Sequence, residues 1–247
     1  MKELQKLLSH ARAAVEKYDM IADGDHVVVG VSGGKDSLSL LCTLAELRHF
    51  YPKHFTVSAL MIDMGFDLSP SVAAPANDHA AIAELCRRLD VPFVVKKTEL
   101  AKIIFDIRKE SNPCSLCSRM RRGIIHDEAM LIGANKIALG HHRDDAVETA
   151  MLNLFFNGNF ESFSPVTHMT RKDVFVIRPF ILTEEREIKI FAKKAGLPVE
   201  ESPCPADGNT ERENMKKYLG DFDVQHRGLY PRIIGALERG EISGWHE

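Results

Sequence analysis

Val27-Val28-Val29-Gly30-Val31-Ser32-Gly33-Gly34-Lys35-Asp36-Ser37 is the stretch that decides the fold. Its first five residues are apolar and mostly β-branched, with no polar residue alternating among them, as in a strand covered on both faces. The run stops at Ser32-Gly33-Gly34, and from Asp36 to Leu47 apolar residues recur at helical spacing. In an open parallel sheet such a turn stands at the carboxyl end of a strand. There glycines let backbone N–H groups approach an anion, and the helix N-terminus favours one. A phosphate is the expected occupant. The pattern G-x-x-x-x-G-K-[ST] is not met, because Asp36 follows Lys35, and G-x-G-x-x-G is absent. Ser32, Ser37 and the amides of Gly33 and Gly34 would cradle the phosphates, with Lys35 as a point charge. Asp36 accepts only, so beside phosphates it makes sense with Mg²⁺ between them.

Outward from this loop the same rhythm repeats. An amphipathic opening helix carries Leu4, Leu7, Leu8, Ala11 and Val15 and ends at Ala22-Asp23-Gly24-Asp25. Strands are expected over 55–62, 93–96, 136–140 and 174–180, with helices over about 71–89, 99–109, 118–132, 144–156 and 184–195. The fold class is therefore α/β: an open parallel sheet with helices on both faces, followed by a mainly helical C-terminal extension. The rhythm changes after Asn157-Gly158, which divides the chain into an N-terminal helix (1–24), a nucleotide-binding domain (25–160) and an extension (161–247) that completes the sheet edge. Segment 61–65, with Ile62 and Asp63, is expected beside the glycine loop across the switch point of the sheet. The strand over 136–140 runs into Gly140-His141-His142-Arg143-Asp144-Asp145, a dense set of titratable groups at a strand-to-helix junction.

With 247 residues, 45% of them hydrophobic, and a net charge of −3, the chain can bury a full core without disulfides. Disordered, repetitive and low-complexity readings drop out, no apolar run approaches a membrane span, and the N-terminus lacks a signal-peptide pattern. A cytoplasmic location without membrane association follows as the expectation, so the five cysteines are read as reduced. Cys42 and Cys86 fall inside apolar helical runs and are expected in the core. Cys114 and Cys117 form one C-x-x-C, compatible with zinc, an iron–sulfur cluster or a redox dithiol. Cys204 stands alone in Ser202-Pro203-Cys204-Pro205, a rigid loop. Three thiolates are one short of the usual four of a [4Fe–4S] cluster and would leave one iron open. Near-neutral net charge does not exclude a local basic face: Arg119, Arg121 and Arg122 follow the C-x-x-C, and Arg171, Lys172, Arg178, Lys189, Lys193 and Lys194 make a second basic segment.

Ser32–Ser37, SGGKDS, resembles the PP-loop of ATP pyrophosphatases, and GHHRDD at 140–145 resembles the second signature of PP-loop tRNA-modifying enzymes. With CSLCSRMRRGIIHDEAM over 114–130 and IRPF over 177–180, the chain is similar to the tRNA 2-thiocytidine synthetase family over most of its length. That resemblance implies ATP and Mg²⁺ as cofactors, held by Ser32, Gly33, Gly34, Lys35, Asp36, Ser37, Ile62, Asp63, Gly140, His141, Asp144 and Asp145. It also implies a [4Fe–4S] cluster on Cys114, Cys117 and Cys204, with these three and Asp36 serving catalysis. The implied reaction replaces the oxygen substituent on the ring of an anticodon-loop cytidine in tRNA by sulfur. Arg119, Arg121 and Arg122 would face the RNA, a cysteine desulfurase would donate sulfur, and a homodimer fits the family. In Cys204-Pro205-Ala206-Asp207 an aspartate stands where many relatives place a fourth cysteine. Alternatives are another PP-loop tRNA modifier, acting on uridine or attaching lysine, and a zinc-containing RNA-binding protein without turnover.

Overall fold

The computed structural model describes residues 1–72, 74–109, 113–170, 173–206, 211–240, 242 and 244–245. Strand β1 (Asp25–Val31) is central and β2 (Phe55–Asp63) and β3 (Phe93–Lys97) lie outward of it on one side. On the other side stand β4 (Lys136–Ala138), β6 (Val174–Ile177) and, at the edge, β5 (Val166–Met169), giving the order β3-β2-β1-β4-β6-β5. All pairs are parallel except the β5–β6 ladder. The topological switch therefore falls between β1 and β4. The segment after β4, rather than 61–65, faces the glycine loop across it, which corrects the placement expected for Asp63.

Strand β1 shows why the sequence makes this sheet. Val27, Val29 and Val31 enter one core, and Val28 enters the other, as alternate side chains of a strand must. Strand β2 does the same, with Val57, Ala59 and Met61 on the first face and Leu60 and Ile62 on the second. The first core is roofed by α1 (Lys2–Lys17), α2 (Lys35–Leu47), α3 (Ala80–Arg88), α5 (Arg143–Leu152), α6 (Glu185–Ala195), α7 (Glu211–Gln225) and α8 (Leu229–Arg239). The second lies under α4 (Pro113–Leu131) and a π-type turn over Lys102–Arg108. Residues 161–247 thus supply two strands and three helices to the same sheet and core, with Met215, Leu219, Ile234, Leu237 and Trp245 buried among N-terminal side chains.

Several elements depart from expectation for local reasons. The helix expected over 71–89 begins only at Ala80, because Pro70 and Pro75 lack amide donors and clash with a preceding turn. Helix α4 starts earlier than expected, at Pro113, using proline where the N–H is unsatisfied anyway. The C-x-x-C therefore lies on the first turn of a helix, with Cys114 and Cys117 one turn apart on one face. Helix α5 ends at Leu152 and passes into a second π-type turn, Asn153–Asn157. Strand β6 stops at Ile177, ahead of Pro179, and β5 is a strand additional to those expected.

What brings the two halves of the site together is a close approach at Gly140. A Cβ built there would lie 3.0 Å from the Ser37 amide nitrogen and 3.0 Å from the Asp36 carbonyl carbon. The chain after β4 therefore rests directly on the first turn of α2. Gly140→Ala is expected to cost about 1–3 kcal/mol, the range of overpacking in a tight site. Urea unfolding checks it, and an unchanged midpoint would show that the contact yields freely.

Candidate active site

The glycine loop is ordered by its own hydroxyls. The Ser32 amide donates to Ser37 Oγ at 3.1 Å, Ser37 Oγ donates to the Gly34 carbonyl at 3.0 Å, and the Gly34 amide reaches Ser32 Oγ at 3.4 Å. Gly33 has φ +84°, a region closed to most side chains. Lys35 Nζ lies 2.9 Å from Asp36 Oδ2 and 3.2 Å from Glu185 Oε1. Burial alone would lower the Lys35 ammonium, but the Asp36 and Glu185 carboxylates outweigh it and push it up. The other Asp36 oxygen, Oδ1, is buried with no hydrogen-bond partner. An orphaned carboxylate oxygen is the donor a divalent cation takes.

Across the switch point the signature 140–145 spends its polar groups on shape. His142 caps α5: its Nδ1 accepts from the Asp145 amide at 3.2 Å, and Asp145 Oδ2 accepts from the His142 amide at 2.9 Å. This is a capping box built with histidine in place of serine or threonine. His142 Nε2 stands 3.8 Å from Asp36 Oδ1. Asp144 Oδ2 accepts from the Glu185 amide at 3.0 Å and so fixes the start of α6. His141 lies against Phe163 with ring centroids 4.9 Å apart, and its Nδ1 is buried without a partner. Burial, with help from Arg178, pushes its pKa down to about 4, so the ring is neutral at pH 7. Ile62 is a core side chain and Asp63 Oδ1 accepts from the Gly65 amide at 2.9 Å, so the carboxylate shapes its own turn.

Four residues that sequence reading missed complete this edge. Glu185 is 7% exposed and meets Lys216 Nζ at 2.8 Å, Lys189 Nζ at 3.0 Å and Lys35. Burial would raise its carboxyl, but the hydrogen bonds from Lys216 and Lys189 and the charge of Lys35 outweigh it and hold the pKa down at about 2. From α7, Arg212 donates to Thr149 Oγ1 at 3.0 Å and lies 3.5 Å from Asp145 and 3.6 Å from Glu148. Glu148 is buried, with Oε1 unpartnered. No local motif announces these contacts, and through Glu185 they link Lys35 to Lys216, 181 positions away in the chain.

The thiols divide as the sequence led one to expect for the core pair: Cys42 and Cys86 are buried, and burial raises them to about 12 and about 11. Cys114 is exposed, and Cys117 and Cys204 are half-buried. Burial raises Cys117; Arg121 opposes that, while Cys204 and Cys114 raise it further. Cys117 is thus within electrostatic reach of both Cys114 and Cys204. Among the described residues no three His, Cys, Asp or Glu side chains gather tightly enough for a metal ion. A four-iron cube binds each cysteine through a different iron and so holds its ligand sulfurs farther apart than one ion does. Asp207 lies outside the described residues. Arg119, Arg121 and Arg122 are all exposed on α4, with Arg122 Nε 3.3 Å from the Ser118 carbonyl. Arg178 does not join them. It is buried, donates to the Ser164 carbonyl and to Thr167 Oγ1, and holds β5 in place. Arg171 and Lys172 lie outside the described residues.

A PP-loop domain family model matches residues 3–221. The tRNA-cytidine(32) 2-sulfurtransferase of Psychromonas ingrahamii is 36% identical over 96% of this chain and 75% of its own length. Its counterpart in Pelobacter propionicus is 37% identical over 96% of this chain and 87% of its own. The chain belongs to the PP-loop tRNA-cytidine 2-sulfurtransferase family. The fold agrees: the U34-tRNA thiolase NcsA from Methanococcus maripaludis, solved with its [4Fe-4S] cluster, superposes with a TM-score of 0.75 at 22% identity, covering 96% of this chain and 79% of that one. Both the α/β fold class and the family expected from SGGKDS and GHHRDD are borne out.

Within this sulfurtransferase fold, Glu148 provides a pH-dependent test of the acidic edge. Burial first, and then the charge of Asp145, raise its carboxyl from 4.5 to about 7. The folded state holds this proton more tightly than the unfolded chain, so stability is fullest below pH 4.5 and falls as pH rises through 7. A shift of this size corresponds to at most about 3 kcal/mol. Urea midpoints measured from pH 5 to 8.5 should fall for the wild type relative to Glu148→Gln. Parallel curves would remove Glu148 as the cause.

Proposed function

We propose that the chain is an ATP-dependent tRNA sulfurtransferase that converts an anticodon-loop cytidine to 2-thiocytidine, forming AMP and pyrophosphate. Similarity along nearly the whole chain to the tRNA-cytidine(32) 2-sulfurtransferases carries this reading. The phosphate loop and the thiols of Cys114, Cys117 and Cys204 would supply the chemistry it requires.

The carbonyl oxygen of a pyrimidine is a poor leaving group. Its attack on the α-phosphorus of ATP, with loss of pyrophosphate, makes it part of an adenylate. A sulfide equivalent then adds at the ring carbon and AMP departs with the oxygen. The amides of Gly33 and Gly34, with Ser32 and Ser37, would hold the departing pyrophosphate through donors already in place. Lys35 would transfer its charge from Glu185 to the phosphates. The unpartnered oxygen of Asp36 fits Mg²⁺, with Asp144 and Asp145 on the facing strand end, and that ion would neutralise charge on the phosphates.

Cys114, Cys117 and Cys204 would hold a [4Fe–4S] cluster. The donor set fits in type, all three being free thiols, with Cys114 exposed, Cys117 and Cys204 half-buried, and Cys117 packed in the same apolar cluster as Leu116 and Met120. When bound, the cluster would present sulfide at the iron without a cysteine ligand. Arg119, Arg121 and Arg122 would contact the RNA backbone close to it, and the target base must be extruded from its stack, which suits an unpaired loop. A cysteine desulfurase as sulfur source, a homodimeric assembly, a cytoplasmic location and the division into 1–24, 25–160 and 161–247 belong to the same proposal. Among the described residues no helix is long and apolar enough to cross a membrane.

Mass spectrometry of tRNA nucleosides tests the reaction. Deletion should abolish 2-thiocytidine and the wild-type gene should restore it, whereas persistence of 2-thiocytidine in the deletion strain removes the assignment. The two halves of the site should also separate. Cys204→Ala is expected to lose cluster iron and thiolation while binding Mg-ATP within about twofold of wild type. Asp36→Asn should keep its iron and lose about 10²-fold or more in adenylation, the scale of a lost electrostatic group at the reacting centre. A Cys204→Ala protein with full iron and normal thiolation would overturn the ligand set.

A further inference from the structure

Between α6 and the stretch that carries Cys204 the chain runs without regular structure over 197–203 and crosses the phosphate loop. The crossing is made by one residue. The Glu200 amide donates to the Gly33 carbonyl at 3.0 Å. The Glu200 side chain lies flat against the same glycine, so that a Cβ on Gly33 would sit 3.2 Å from Oε2 and 3.3 Å from the Glu200 Cβ. Its carboxylate is held by His79 Nδ1, at 2.9 Å from Oε2 and 3.2 Å from Oε1. His79 is itself set for this contact. It has φ +54° at the start of α3, which a non-glycine residue adopts only when its surroundings impose it. The side chain is 12% exposed, and its Nε2 is buried without a partner.

A carboxylate is the wrong charge to park on a loop built for phosphates. With the loop free, the His79 hydrogen bond and the Gly33 contact hold Glu200 in place. A polyphosphate on the amides of Gly33 and Gly34 would set several negative charges against that carboxylate, in a partly buried position where screening is weak. Cys204 follows four residues later, within a chain reach of at most about 14 Å, so displacing Glu200 moves or frees the segment that bears the third thiol.

We propose that Glu200 is a positioning residue through which polyphosphate at the PP-loop releases the Cys204 segment, so that nucleotide arrival precedes mobility of the sulfur-carrying side of the site. The proposal rests on the nucleotide and thiol reading above. A neutral nucleoside at the same site lacks the charge and leaves the strap closed.

Hydrogen exchange and calorimetry on the full chain test this, with Mg-ATP and adenosine as ligands. In the wild type, deuterium uptake over 199–204 is expected to rise severalfold with Mg-ATP and to stay unchanged with adenosine. Glu200→Ala should already exchange at the faster rate without ligand and should bind Mg-ATP three- to tenfold more tightly, with adenosine affinity unchanged. Glu200→Gln keeps the size and the backbone contact and should tighten Mg-ATP binding in the same direction. If Mg-ATP binds the wild type but leaves 199–204 equally or better protected, or if neither variant binds it more tightly, the release is overturned while the nucleotide site stands. Should neither ligand bind, the nucleotide reading falls and the strap with it.

Discussion

Everything at the carboxyl edge of this sheet depends on one electrostatic constraint. A loop made to receive phosphate carries a lysine that must be balanced before the phosphate arrives. Glu185 meets that need for Lys35, and because it also receives Lys216 and Lys189 it fastens the starts of α2 and α6 and the body of α7 at one point. Glu185 is the buried member of this set and its lysines are partly exposed, so loss of the carboxylate, which would leave Lys35 without this counter-charge, weighs more than loss of any one lysine. The ionic junction lies on top of a shared apolar core, in which Phe180, Ile188, Met215 and Leu219 belong to the same buried cluster as side chains of α1, α2 and α5. The C-terminal stretch is thus the counter-charge and the lid of the phosphate loop as well as an addition to the sheet.

The sheet was legible in the sequence because burial on two faces leaves a plain mark: uninterrupted runs of Val, Ile and Leu ending in glycine or polar turns. Strand β1 and the loop after it follow that mark residue by residue. The expected helix over 71–89 failed because apolar and alanine residues in SVAAPANDHAAIAEL suggest a longer helix than Pro75 permits. Arg178 reads as a surface charge in the sequence, yet it is buried, its Nη1 donates to the Ser164 carbonyl and to Thr167 Oγ1, and it faces Phe163. Composition cannot distinguish an arginine that binds a partner from one that binds the backbone of its own chain.

The site was legible in part for a related reason. Residues whose chemistry is local, such as Ser32, Lys35 and Asp36, declare themselves by spacing. Those that act through tertiary pairing do not. His142, one of the titratable groups of GHHRDD, is a helix cap, and Glu185 looks like an ordinary helix start and proves to be the buried counter-ion of the loop. Arg212 opens a polar helix more than 60 residues beyond the signature and yet reaches Asp145, Glu148 and Thr149.

These pairings also bear on how a highly charged ligand could enter without a large energetic penalty. Five carboxylates, those of Asp36, Asp144, Asp145, Glu148 and Glu185, line the edge, and Lys35, Arg143, Arg212 and Lys216 are distributed among them. A nucleotide entering with a divalent cation would bring both signs of charge. The cation can take oxygens such as Asp36 Oδ1, and the phosphates can take ammonium and guanidinium groups that turn away from their carboxylates. Such an exchange of partners keeps each buried charge compensated at every stage, and uncompensated burial is the expensive state. A site lined only with cations would repel itself when empty. This edge is neutralised in advance, and its selectivity then depends on which of its pairs the incoming charges can separate.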